Sequence, residues 1–208
     1  MRQYDLDILT MSEVRWPGSG LEKLPSRQES RREHGVALMM TRETSQSLVK
    51  WQPVSSRTLT ARFSSQHAKL SLVVCYALTN EASDDIKRKF HRTLQSVARN
   101  IPRQDIACFV NFNAKIGDDR KYCPQSIGCN DFGNWNENGE LLMDLVLSND
   151  LVIGGSLFQH HDVHRYSWPS PDGVARNQID HCLVSRKWCT SLIDIRSHRG
   201  VDSGQITA

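Results

Sequence analysis

The stretch YSWPSPDGVARNQIDHCLVSRKW, residues 166–188, reads as two strands joined by a turn. Tyr166, Ser167 and Trp168 can open a strand, and the Pro/Ser/Asp cluster at 169–172 ends in Gly173, which tolerates positive φ. In residues 178–184, Ile179, His181 and Leu183 alternate with Asp180, Cys182 and Val184. An Asp and a His within an apolar strand are costly to bury without partners, so Asp180 and His181 point to a site. The alternative is a strand-end Asp satisfied by backbone amides.

Working outward, 208 residues suit one domain spanning 1–208, large enough to bury a core. A hydrophobic share of 38% and a charged share of 24% describe an ordinary globular chain. The net charge of +3 permits a polyanionic partner without demanding one. No apolar run is long enough to span a membrane, and residues 1–7 lack the apolar centre of a signal peptide. Six cysteines without CxxC spacing read as buried thiols of a reducing compartment, neither a disulfide framework nor a zinc site. The expected location is intracellular, the nucleus included, and not secreted.

Upstream, Leu6, Ile8, Leu9 and Met11 form a short strand running into Glu13, and residues 18–33 read as a polar loop. Residues 34–41 read as a buried strand, and 58–63 and 70–76 as a hairpin. Ser83, Asp84 and Asp85 start a helix whose apolar face is Ile86, Phe90, Leu94 and Val97. Lys87, Arg88, Lys89 and Arg92 are then expected on a solvated face. A strand at 106–110 delivers Asn111 and Asn113, a second helix covers 137–148, and a strand follows at 151–154. Strands interleaved with helices indicate a mixed α/β sandwich. The run HHDVH at 160–164 invites a zinc reading, but its position after a strand and before Trp168 favours loop histidines near a nucleic-acid face.

Four segments in order carry a family resemblance. NQIDHCLVSRKW (177–188) resembles NQIDHxLVSRRW, SEVRW (12–16) resembles SEVRW, VCYA (74–77) resembles VxYAPT, and VNFNA (110–114) resembles GDFNA. These are motifs of the endonuclease/exonuclease/phosphatase superfamily, in the branch of non-LTR retrotransposon endonucleases and craniofacial development protein 2-like proteins. The resemblance implies an α/β sandwich of two mixed β-sheets flanked by helices, here truncated at both ends. It implies a metal-dependent endonuclease domain of retrotransposon origin that hydrolyses DNA phosphodiester bonds. Mg²⁺, with Mn²⁺ as substitute, would be the cofactor, held by Glu13. Tyr76, Asn111, Asn113 and Asp180 fall on catalytic positions, and Trp168 and Gln178 on a substrate-facing surface. DNA would be a weak partner, with neither a membrane nor a small-molecule cofactor involved.

Two departures stand out. Asn111 occupies the place of an Asp, and an amide has no useful basicity. The C-terminal segment 199–208 follows an RGADVGSDH-like ending only in part and lacks its Ser-Asp-His. The resemblance therefore implies an impaired or inactive enzyme, or a non-catalytic scaffold binding nucleic acid or protein.

Overall fold

The computed structural model describes residues 5–14, 35–117, 125–128, 135–161, 164, 166–169 and 176–197. Ten strands and three α-helices follow one another in it: β1 (Ile8–Val14), β2 (Gly35–Met40), α1 (Arg42–Gln46), β3 (Leu48–Ser55), β4 (Thr58–Ser64), β5 (Lys69–Cys75), α2 (Asp84–Asn100), β6 (Ile106–Val110), α3 (Glu137–Ser148), β7 (Leu151–Ile153), β8 (Trp168–Pro169), β9 (Arg176–Asn177) and β10 (Cys182–Ser185). Six strands make one sheet in the order β3-β4-β5-β6-β10-β7, beside the two-stranded ribbons β1-β2 and β8-β9.

Alternation along each strand sends side chains to two different layers. On one face of the sheet, Ala61, Phe63, Leu72 and Val74 pack under Ile8, Val36, Leu38 and Met40 of the β1-β2 ribbon. On the other face, Val73, Cys75, Phe109 and Leu183 pack against Phe90 and Leu94 of α2 and Leu142, Leu145 and Val146 of α3. The central strand β5 is covered on both sides, which is why its second half, LVVC at 72–75, is apolar without alternation. Two sheets flanked by helices are the architecture expected from the sequence.

Both long helices fall where expected, with one correction. Ile86 is 55% exposed, while Lys87 is 2% exposed and points inward. Lys87 lies three residues before Phe90, on the face that α2 buries, so its stem joins the core. Its ammonium ends 2.7 Å from Glu137 at the start of α3 and 3.9 Å from Asp84. The basic side chain thus ties the two helices together.

Where β5 and β6 begin, Arg62 donates to both carboxylate oxygens of Asp105, at 2.6 and 2.9 Å, and Ser71 donates a third bond at 2.8 Å. These donors hold the Asp105 carboxyl below the usual carboxylate range.

Two elements were not expected: α1, capped by Thr41 Oγ1 accepting from Thr44 N, and the edge strand β3. Register shifts in β3 at 48/50 and 53/55 bring Leu48, Trp51 and Val54 to the half-buried side at intervals of three residues. That spacing hides a strand from a period-two reading, and Pro53 sits where an edge strand tolerates it. The described cysteines, Cys75, Cys108, Cys182 and Cys189, are all free thiols, with Cys108 and Cys182 Sγ 3.6 Å apart on neighbouring strands. Cys123 and Cys129 lie outside the described residues.

His91 on α2 and His181 before β10 are both buried, and burial lowers each to a pKa of about 4. Below pH 6.5 the unfolded chain takes up protons that the native state refuses, so stability falls between pH 6.5 and 4. Each histidine contributes a loss approaching about 3 kcal/mol. Urea unfolding at pH 7 and pH 4.5 should show a smaller loss in His91→Phe than in the parent.

Candidate active site

Four strand ends deliver the candidate residues to one place. β5 and β6 run parallel, with Val74 opposite Val110, so the chain leaves both strands at the same end. Tyr76 follows β5 and Asn111 follows β6. Antiparallel β10 enters from that end, with Cys182 opposite Val110, and this sets Asp180 and His181 beside Asn111. The backbone closes the cluster: Asn111 N donates to His181 O and Ala77 N to Asn111 O, both at 3.4 Å.

Glu13 arrives from the ribbon. Ser12 pairs with Val36 and Val14 with Gly35, leaving Glu13 as the unpaired residue of a bulge, at φ 59°. A bulge re-aims a side chain out of the strand's alternation. Tyr76 OH donates to Glu13 Oε1 at 2.8 Å, joining the ribbon to the end of β5. Gly35 makes the bulge feasible, because a Cβ there would collide with the backbone oxygen of Val14.

Asn111 and Asn113 also have positive φ, 75° and 48°. Asn enters this region more readily than most residues, and such conformations gather at functional sites. Phe112 between them is 1% exposed and anchors the segment in the core, so both amides are held by a rigid base. Asn113 Nδ2 donates to Ala77 O at 2.9 Å, so part of its capacity braces the loop after β5.

Asp180 faces solvent, but surrounding protein crowds its carboxyl. Burial raises its pKa, the Ser167 hydroxyl lowers it, and the charge of Glu13 raises it. The last effect places the two carboxylates in one electrostatic neighbourhood. Ser167 Oγ also accepts from Ile179 N and Asp180 N, at 3.0 and 3.1 Å. Tyr76 is raised above the ordinary phenol value by burial and by its bond to Glu13, with Arg57 opposing. The Arg57 guanidinium lies 4.9 Å from the Tyr76 ring centre and donates to Tyr76 O at 3.4 Å. His181 is fixed as a core residue by a 2.9 Å bond from Nε2 to Ala114 O.

Glu13, Tyr76, Asn111, Asn113 and Asp180 are thus brought together. Gln178 lies apart from these bonds, its amide nitrogen 3.2 Å from where a Cβ on Gly155 would stand. Trp168 pairs through its backbone with Asn177 in the β8-β9 ribbon, and its side chain is outside the described residues, as is the segment 198–208. His160 Nε2 sits 2.7 Å from Asp194 Oδ1, and His164 Nδ1 3.3 Å from Ser197 O. These histidines are engaged with the segment after β10. Among the described residues no three His, Cys, Asp or Glu side chains gather as a metal cage. A single carboxylate such as Glu13 still fits Mg²⁺, which commonly takes one or two and completes its shell with water.

Sequence reading missed Ser167, Arg57 and Asn138. Asn138 had a visible signal: it stands four residues before Leu142 and seven before Leu145, on the buried face of α3.

The endonuclease domain of TRAS1, a telomere-specific non-LTR retrotransposon, superposes with a TM-score of 0.51 at 12% identity, covering 89% of this chain and 70% of that one. TDP2 of D. rerio, complexed with a single strand DNA product, superposes at 0.50 and 11% identity, covering 88% and 64%. The chain therefore shares the fold of the TRAS1 endonuclease domain. In sequence the chain is similar to craniofacial development protein 2 of Tragulus javanicus and of Bos taurus, 29% identical over 211 residues in each case. The match covers 98% of this chain but 36% and 35% of those proteins, so the chain spans about a third of the relatives' length. No family model matches it. Among the described residues no helix is long and apolar enough to cross a membrane.

Gly35→Ala tests the bulge. The new methyl must displace Val14, so urea unfolding should show a loss of about 1–3 kcal/mol. A variant as stable as the parent would mean that the bulge yields freely.

Proposed function

We propose that the chain is a metal-dependent endonuclease domain of retrotransposon descent that hydrolyses DNA phosphodiester bonds, slowly because Asn111 stands where a base is needed. The observation that carries this reading is the meeting of Glu13, Tyr76, Asn111, Asn113 and Asp180 at the ends of four strands. Glu13 would supply an oxygen ligand for Mg²⁺, or for Mn²⁺ in its place, and Asp180 would support the site beside it. When bound, the cation supplies charge stabilisation for the oxygens of a phosphate. The Tyr76 phenol is a donor that turns from Glu13 toward a phosphate oxygen, and Arg57 adds positive charge beside it. Asn113 orients the phosphate with the amide capacity its brace to Ala77 leaves free. Asn111 holds the attacking water by hydrogen bonds but cannot take its proton, which forgoes general-base assistance worth about 10²–10⁴ in rate.

The same uncharged Asn111 favours a second reading, a non-catalytic scaffold that binds nucleic acid or a protein. Nicking of supercoiled plasmid separates the two. The first reading expects slow nicking that needs Mg²⁺ and is abolished by EDTA and by Glu13→Gln. Cleavage insensitive to both would sink the site. Duplex DNA should bind with micromolar or weaker affinity that falls steeply with salt, because phosphate contacts dominate.

Asn111→Asp should bind Mg²⁺ more tightly than the parent. Its melting temperature should rise on adding Mg²⁺, by the equivalent of about 2.7 kcal/mol at a hundredfold excess over Kd. Without metal it should melt below the parent, because a third carboxylate is then repelled by Glu13 and Asp180.

A further inference from the structure

The first turn of α3 reaches beneath the loops that follow β5 and β6. Asn138 is 2% exposed, and its Nδ2 donates to Leu78 O at 2.8 Å and to Asn113 O at 3.0 Å. Both hydrogens of one amide nitrogen are used, one on each loop. Asn136 Oδ1 accepts from Lys115 N and Gly139 N, each at 2.9 Å. Gly139 must be bare, since a Cβ would run into the carbonyl oxygen of Lys115. The segment Asn136, Glu137, Asn138, Gly139 is therefore fitted to these loops as well as starting a helix.

We infer that Asn138 is a positioning residue that sets Tyr76 and Asn113 in register with each other. Leu78 lies two residues after Tyr76, and Asn113 itself accepts the second bond. One rigid amide thus measures the gap between a phenol and an amide that come from different strands. Asp at 138 has the right shape but would turn carboxylate oxygens onto two carbonyls. Leu has the volume but leaves both carbonyls buried and unpaired. The consequence for turnover rests on the endonuclease reading above, whereas the consequence for the loops does not.

Hydrogen–deuterium exchange separates the two parts. The parent is compared with Asn138→Leu, with Asn138→Ser, which keeps one donor, and with Leu145→Ala, a core truncation two turns further along α3. In Asn138→Leu the amides of Tyr76, Ala77 and Ala114 should exchange at least about tenfold faster while β4 keeps the parent's rate. Asn138→Ser should fall between, and it supplies the comparison if Asn138→Leu does not fold. Leu145→Ala should lose as much melting temperature or more without singling out these loops. In plasmid nicking, kcat should drop by up to roughly 10²-fold in Asn138→Leu, with KM within about twofold of the parent. Unchanged loops in both Asn138 variants, or equal loosening by Leu145→Ala, would overturn the inference, as would a loss confined to KM. A parent that does not nick, with loops that loosen as expected, would uphold the clamp and remove the endonuclease reading.

Discussion

The parallel pairing of β5 with β6 is the constraint on which the site depends. Two parallel neighbours release the chain at the same end, so residues after each strand are forced together however far apart they lie in sequence. The α2 crossover satisfies this connection, and its apolar face covers the sheet it spans. Antiparallel β10 then adds a third segment at that end from the opposite direction. Reversing any one of the three strands would send its polar residues to the far side of the core. Residues 75–77, 111–114 and 179–181 consequently share a few backbone bonds that are neither sheet nor helix.

Polar and apolar residues divide the work at this end in a consistent way. Phe112 and His181 are turned inward and fixed, one by packing and the other by its bond to Ala114 O. The residues flanking them, Asn111, Asn113 and Asp180, are thereby turned outward. A site assembled from loops gains the stiffness of the core beneath it without placing its own charges there. Several other backbone polar groups here are met by side chains brought from outside the sheet: Asn136 at the cap of α3, Asn138 within α3, and Ser167 from the segment before β8.

Much of this was legible in the sequence, for reasons that differ by element. The bounds of α2 and α3 follow from their acidic first turns and a clear period, although Ser83 makes no side-chain cap bond, and β4 with β5 follow from alternation around a polar turn. The five central site residues could be named because their motifs survive as short local strings. What escaped was tertiary. Lys87 looks like a surface residue until Glu137 is placed opposite it, and β3 loses its alternation to two bulges. The strand expected at 178–184 begins in the ladder only at Cys182, since the chain must leave the sheet to present Asp180. Ser167 and Asn138 act through backbone groups distant in sequence, and a string of residues does not reveal which carbonyl an amide will meet.

The ribbon that carries Glu13 has a consequence of its own. Two antiparallel strands are barely stable in isolation, and this pair is held to the body through one apolar layer and the bond from Tyr76. A piece held in this way can open at a lower free energy than the whole fold. On the proposed metal-dependent reading, a carboxylate mounted on such a piece would make cation affinity a composite of intrinsic coordination and the fraction of time the ribbon is seated. Substitutions at Ile8, Val36, Leu38 or Met40, remote from any ligand atom, would then tune metal occupancy through docking alone.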